Sequence, residues 1–207
     1  MRNSTLKTLC EWIGDPVGLA RFEEVACLSP RTSFVKSLLN LSESDEFVRG
    51  QMQSARDRNG VSGKLSRGAP LGMVNVKSLK PSQRYMASVL LSWMLNSDDG
   101  GLSAIGGDIV GVDLVDRLVY VYKRYLNYTG TPVESADVGF ELFVLVFRCY
   151  TLAEIDVLGC DNCGSNFIST RQGHAMRCPV CDAHAHPCRS KKTPQPRLPE
   201  LQVRRAA

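Results

Sequence analysis

Read for the spacing of its apolar positions, the chain is a succession of helices punctuated by Gly, Pro and Ser. The first 30 residues offer two short ones: "STLKTLCEWIG", stopped by Gly14, Asp15 and Pro16, and "VGLARFEEVACL", which ends before Pro30. This stretch, residues 1–30, carries no chemistry and reads as a packing or partner-contact extension. From Arg31 the signal strengthens, because Phe34, Val35, Leu38, Leu39 and Leu41 recur on one face. Ser42 or Ser44 then caps a helix with acids in its first turn, where they favour the helix dipole. That helix carries Phe47, Val48, Met52 and Ala55 inward, and Gly60 ends it. Gly60, Gly63, Gly68, Pro70 and Gly72 deny Val61 to Val76 any long regular element, so this is a loop.

Pro81 suits the first position of a helix running to about Asn96, with Tyr85, Val89, Leu90, Trp93 and Met94 toward the core. After "NSDDGG", the run "VDLVDRLVYVYKRYLNY" sets Leu114, Val115, Leu118, Val119, Tyr122, Tyr125 and Leu126 on one side, until Gly130 and Pro132 break it. The segment Asp137 to Leu158 is apolar almost all round, which predicts a helix wrapped by others or set in a subunit interface. It enters Cys160 without a linker, so the last module is expected to be rigidly attached to the core. The fold class expected is mainly α: a helical bundle over 31–158 with a basic loop at 56–84, then a small zinc-ribbon-like module at 159–182 with four cysteines. A basic, Pro-rich tail, 183–207, has too little apolar content to fold and is expected to be disordered when free.

Composition is that of an ordinary globular protein, 43% hydrophobic and 22% charged over 207 residues. The longest apolar run, Leu142 to Phe147, is far too short to span a bilayer. Cys10, Cys27, Cys149 and Cys188 are scattered and no secretory signal is recognisable, so the expected compartment is a reducing cytoplasm. No phosphate-binding Gly loop, paired-acid constellation or nucleophile elbow occurs, and the helical tyrosines read as core. No enzymatic activity is expected.

What the chain does carry is "CDNCGSNFISTRQGHAMRCPVC", two Cys-x-x-Cys pairs separated by 14 residues. Two such turns can aim four thiolates, Cys160, Cys163, Cys178 and Cys181, at one structural Zn2+ ion. Two disulfides, or a redox Cys-x-x-Cys, are the alternatives, and His174, His184, His186 and Cys188 are possible substitute ligands. Phe167 and Ile168 can pack beside the metal, Gly164 follows the first pair, and Pro179 stiffens the second turn. Gly173 marks the expected reversal between two short strands, with His174 capping the hairpin tip.

The net charge of +4 conceals an asymmetry. Arg56 to Arg84 holds seven bases against Asp57, and Ala183 to Ala207 six against Glu200, so these segments carry +6 and +5 and the remainder −7. Clustered cations beside a zinc module suit the phosphates of double-stranded DNA, although either segment alone could be only a solvated loop or tail. Arg171, Arg177, Arg189, Lys191 and Lys192 are the leading candidates for phosphate binding, followed by Arg56, Arg58, Lys64 and Arg67.

The order of features resembles the FlhC family, the C subunit of the flagellar master transcriptional activator. The family's Cys-x-x-Cys-Gly-x-Asn-Phe-Ile run is matched by Cys160, Cys163, Gly164, Asn166, Phe167 and Ile168, with Cys178 and Cys181 downstream. "YKRYL", Tyr122 to Leu126, resembles the family's Y-R-x-Y-L helix. The family's "PPKGMLPFS" loop is represented only by Pro70, Gly72 and Met73, and about thirty residues precede the resemblance, as a paralogue would show. The resemblance implies an activator subunit that pairs with a small helical FlhD-like subunit as four D and two C chains, binds extended promoter DNA and recruits RNA polymerase. Its genes would be flagellar or, as for related activators on conjugative elements, those of DNA transfer. It also implies that the four cysteines are the zinc ligands. A zinc-ribbon adaptor that docks another protein is the alternative function; a zinc enzyme would need an open metal position that four thiolates do not leave.

Overall fold

Helix starts and stops fall at the caps and breakers of the sequence. The computed structural model describes residues 9–61, 65, 76–96, 112–170 and 177–183. Among them α1 spans Leu9–Ile13 and α2 Pro16–Leu28. Pro16 opens α2, and the Asp15 carboxylate accepts from the N–H groups of Val17 at 3.3 Å and Gly18 at 3.0 Å. Gly18 is required by packing, because a Cβ there would lie 2.5 Å from the Trp12 carbonyl oxygen. Helix α3, Thr32–Leu39, ends at Asn40 in the left-handed region, and Ser44 caps α4, Asp45–Arg58, through Phe47 N–H at 3.3 Å. Then come α5 (Pro81–Asn96), α6 (Val112–Thr129) and α7 (Phe140–Thr151), followed by strands β1 (Ile155–Gly159) and β2 (Asn166–Thr170) and the short α8 (Pro179–Ala183). The protein is mainly helical with one small antiparallel sheet.

The chain falls into two compact units, Met1–Gly72 with Ile109–Leu145, and Met73–Asp108 with Val146–Ala207. Sequence order therefore does not mark the division. In the first unit, α1 to α4 and α6 pack around Phe22, Val48, Met52, Leu118, Tyr122 and Phe143, all at most 1% exposed. The Tyr122 ring lies 5.3 Å from that of Phe140 and stacks on Phe143, and its hydroxyl donates to the Val138 carbonyl at 2.9 Å. The buried Glu141 carboxylate accepts from the Ser29 hydroxyl at 2.6 Å and the Arg31 N–H at 3.2 Å, tying the corner between α2 and α3. The periodicity of α3 and α6 predicts these faces correctly. Phe47 is the exception: it is 42% exposed, because the inward stripe of α4 runs through Val48, Met52 and Ala55, one residue round the helix.

In the second unit α5 packs on β2 and α8. Its buried face is the expected one only in part: Leu90 and Met94 are buried as predicted, but the stripe is turned toward Arg84, Ala87, Ser88 and Leu91. Arg84, Ala87, Ser88, Leu90, Leu91 and Met94 are buried, whereas Tyr85 is 38% exposed and Val89 and Trp93 only partly covered. The buried stripe is thus turned one residue round the helix from the aromatics, and it includes two polar residues. The expected helix over Asp137 to Leu158 is also corrected. Helix α7 stops at Thr151, Ala153 turns the chain at φ 56°, and Ile155 to Gly159 continue as a strand paired with β2. An unbroken apolar run is common to buried helices and buried strands, and only the ladder of hydrogen bonds distinguishes them here.

Candidate metal centre

The first Cys-x-x-Cys is the turn of a hairpin. Strand β1 pairs antiparallel with β2, Val157 opposite Ile168 and Gly159 opposite Asn166, so the loop between them is 160–165. Cys160 closes that loop at both ends: its N–H donates to the Ser165 carbonyl at 2.9 Å and its carbonyl accepts from Gly164 N–H at 2.8 Å. Gly164 sits at φ +72°, a conformation open to glycine and strained for other side chains. The strand reversal therefore lies at the first cysteine pair; the reversal expected at Gly173, with His174, falls outside the described residues. The second pair opens α8. Pro179 takes its first position, and Asp182 N–H returns to the Cys178 carbonyl at 2.9 Å.

These two turns bring four sulfurs within 4.8 Å of one another. Cys160 Sγ is 3.7 Å from Cys181 Sγ, and Cys163 Sγ is 3.6 Å from Cys178 Sγ. A tetrahedron of sulfurs about one ion, with metal–sulfur bonds of roughly 2.3 Å, has edges of about 3.8 Å. The cluster is thus of a size to hold a single metal ion. The same separations are far from a disulfide's roughly 2.05 Å, and none of the four is disulfide-bonded. Phe167 and Val180 pack with Cys160, Cys178 and Cys181 to form the dry side, leaving Cys163 exposed. Hydrogen bonds from the side chain and backbone of Ser165 hold the Cys163 thiol down to about 6, while burial pushes that of Cys178 up. Asn162 Nδ2 donates to Cys181 Sγ at 3.3 Å. Four sulfur donors fill a tetrahedral shell, which leaves no position for water or substrate.

Helix α5 holds this module through the two polar residues of its buried face. Ser88 Oγ accepts from Ile168 N–H in β2 at 2.9 Å and donates to the Arg84 carbonyl at 2.6 Å. The Arg84 guanidinium donates to the Arg177 carbonyl at 2.7 Å and lies 3.8 Å from the Asp182 carboxylate. Sequence reasoning counts Arg84 among the cations of a surface loop. Its spacing could have placed it correctly, since Arg84, Ser88 and Leu91 fall on one helical stripe with Ala87 and Met94.

The candidate phosphate-binding residues divide three ways. Arg177, immediately before Cys178, has a side chain 80% exposed and 3.9 Å from Asp182. Arg56 and Arg58 serve the first unit: Arg56 donates to the Ala26 carbonyl at 2.9 Å and to the Ser29 carbonyl, capping the end of α2, and Arg58 donates to Glu23 at 3.0 and 2.5 Å. Burial lowers the pKa of Arg56, as befits a cation withdrawn from water. Lys64, Arg67, Arg171, Arg189, Lys191 and Lys192 lie outside the described residues, as do the substitute ligands His184, His186 and Cys188 and the tail. Among the described residues no helix is long and apolar enough to cross a membrane. No protein-family model matches the chain, and no curated protein matches it.

Proposed function

We propose that this chain is a DNA-binding subunit of a transcriptional activator, folded around one structural Zn2+ ion and working in the cytoplasm with a small helical FlhD-like partner. The observation that carries the reading is the four-sulfur cluster with the exposed Arg177 beside Cys178. Thiolate donors in this geometry suit zinc, and a closed shell makes the ion a fold element instead of a catalyst. Zinc with four thiolates carries a net −2, so neighbouring cations both offset it and reach outward to phosphate. Arg177 is fixed by the second turn. Lys191, Lys192 and Arg189 follow the module in sequence and extend the cationic track, and together they set the protein on the duplex while other side chains read sequence or groove shape. The assembly then recruits RNA polymerase to flagellar or conjugative-transfer promoters, as the resemblance to the FlhC family implies.

The test is binding of the zinc-loaded protein, co-expressed with an FlhD-like partner, to fragments of host DNA across a salt series. Affinity falls steeply with salt, and a Lys191→Ala, Lys192→Ala double variant lowers the logarithmic slope by roughly 1.8, about 0.9 for each phosphate left without its lysine. An unchanged slope removes these two lysines from the interface, and indifference to DNA at low salt removes the reading. Indifference would instead favour the adaptor, for which one observation speaks: Arg56 and Arg58 are spent within the fold, while Tyr120 and Tyr128 stand 62% and 75% exposed on α6.

A further inference from the structure

Arg84 is a cation buried where a surface charge was expected, only 8% exposed. Burying a guanidinium is costly unless its charge and donors are compensated. The described residues compensate it incompletely. It has one hydrogen bond, to the Arg177 carbonyl at 2.7 Å, and one long ion pair, to Asp182 at 3.8 Å, and its Nε–H has no acceptor among them. Asp182 is moreover shared with Arg177 at 3.9 Å. The two groups that Arg84 does touch are telling. Arg177 and Asp182 are the residues immediately before Cys178 and after Cys181, so one side chain on α5 spans the second cysteine turn from end to end.

We propose that Arg84 is the positioning residue of the metal centre: it clamps the Cys178–Cys181 turn onto α5 and supplies the buried positive charge that retains an anionic zinc–tetrathiolate. The inference rests on reading the cluster as a zinc site. Ser88 is the second point of the same clamp, holding β2 through Ile168 N–H, so that α5 grips the second cysteine turn and the strand that follows the first. Such an outer layer acts on retention: it keeps the thiolates in place while each bond to the ion opens and recloses. A guanidinium fits this task because its planar fork can serve a carbonyl and a carboxylate at once, which an ammonium does less well.

The experiment is the rate of zinc transfer from the full-length, zinc-loaded protein to a chromogenic chelator. Arg84→Gln is expected to release zinc roughly 10–100-fold faster than wild type, the usual effect of losing an outer-shell partner, with Arg84→Lys between them. Arg177→Ala removes a charge at the same turn but keeps the carbonyl that Arg84 holds, and is expected to stay within about twofold of wild type, as an exposed charge should. Equal release by Arg84→Gln and wild type overturns the proposal, and so does Arg177→Ala matching Arg84→Gln, since the effect would then be generic charge. Should Arg84→Gln show no cooperative melt, Asp182→Asn decides instead. It leaves α5 intact and is expected to speed release several-fold; no change would overturn the clamp. A wild-type protein that takes up no zinc removes the zinc reading and the proposal together, whereas tight zinc with an unhurried Arg84→Gln removes the clamp alone.

Discussion

Helices α4 and α5 have similar lengths, 14 and 16 residues, yet they bury different chemistry. Helix α4, in the first unit, covers Val48, Met52 and Ala55 and turns Arg56 and Arg58 to carbonyls and a carboxylate at the edge of its packing. Helix α5, in the second, buries Arg84 and Ser88 and uses them to hold a sheet and a cysteine turn. The first unit buries an extensive set of apolar side chains, and removal of that surface from water contributes to its stability. The second has a two-stranded sheet, which is marginal alone in water and needs other support. The buried apolar face and polar clamp of α5, together with the four-sulfur cluster, supply it. The difference teaches what a buried polar residue can do: in the first unit Glu141 and Ser29 tie a corner between helices, and in the second Arg84 and Ser88 hold a cysteine turn and a strand beside an apolar core of their own.

The largest effect should come from the sulfurs. Cys178→Ser removes a 2%-exposed sulfur of the cluster, and on the proposed zinc reading loss of the site withdraws on the order of 10 kcal/mol of binding free energy from the fold. Hydrogen exchange is the suitable reading. The β2 amides, Ile168 N–H among them, should lose their protection, while those of α4 and α6 keep theirs. Protection of β2 that survives in Cys178→Ser would falsify metal-dependence of the second unit.

The converse substitution belongs to the first unit. Phe22 is 1% exposed on α2, and Phe22→Ala should destabilise by about 3–5 kcal/mol, lost transfer energy plus a residual cavity. Urea unfolding followed by circular dichroism measures it. Zinc content should remain at that of wild type. A variant that keeps its stability but loses its zinc would reverse the roles assigned to the two units.

How much of this was legible depends on which chemistry a stretch buries. Where burial is apolar and periodic, as at Phe34, Val35, Leu38 and Leu39, or Leu114 to Tyr125, hydropathy alone gives the inward face. The Ser44 cap is as readable, since it precedes its helix with the side-chain oxygen that orphan N–H groups need, whereas Asp15, read only as a stop, proves to cap α2. The four cysteines declare their cluster by spacing, because each pair can close only a tight turn. Two things were not legible. Hydropathy ranks Tyr85 and Trp93 above Arg84 and Ser88, and it has no knowledge that Ile168 N–H and the Arg177 carbonyl await a partner. Nor does it divide an apolar run such as Phe140 to Leu158 into a helix and a strand, since that depends on β2 lying alongside. Both failures depend on a partner outside the segment itself: 80 residues away for Ser88 and Ile168, and across the 160–165 turn for the strand.

The smallest effect separates the units by pH. On the proposed zinc reading, metal retention requires deprotonated thiols, so acid acts on the second unit by releasing the ion. Base acts on the first through Tyr122 and Tyr125, and burial raises the pKa of Tyr150 in the second as well, so the Tyr122 variant is what isolates the first unit's share. Burial raises the pKa of Tyr122 well above its ordinary 10.0, and that of Tyr125 rises for the same reason. Above pH 10 the unfolded chain therefore loses phenolic protons that the folded one keeps; the native state binds more protons, and stability must fall as pH rises. The fall is about 1.4 kcal/mol per pH unit for each tyrosine held neutral, beginning near the unfolded value and continuing until the folded group itself ionises. Tyr122→Phe costs about 1 kcal/mol at neutral pH through the lost bond to the Val138 carbonyl, and should remove its share of the alkaline slope. Urea midpoints collected from about pH 8 to about pH 11 show both effects at once. An alkaline slope unaltered in Tyr122→Phe would mean that the phenol meets water in the folded state and that the core around Phe140 and Phe143 is looser than its ring packing indicates.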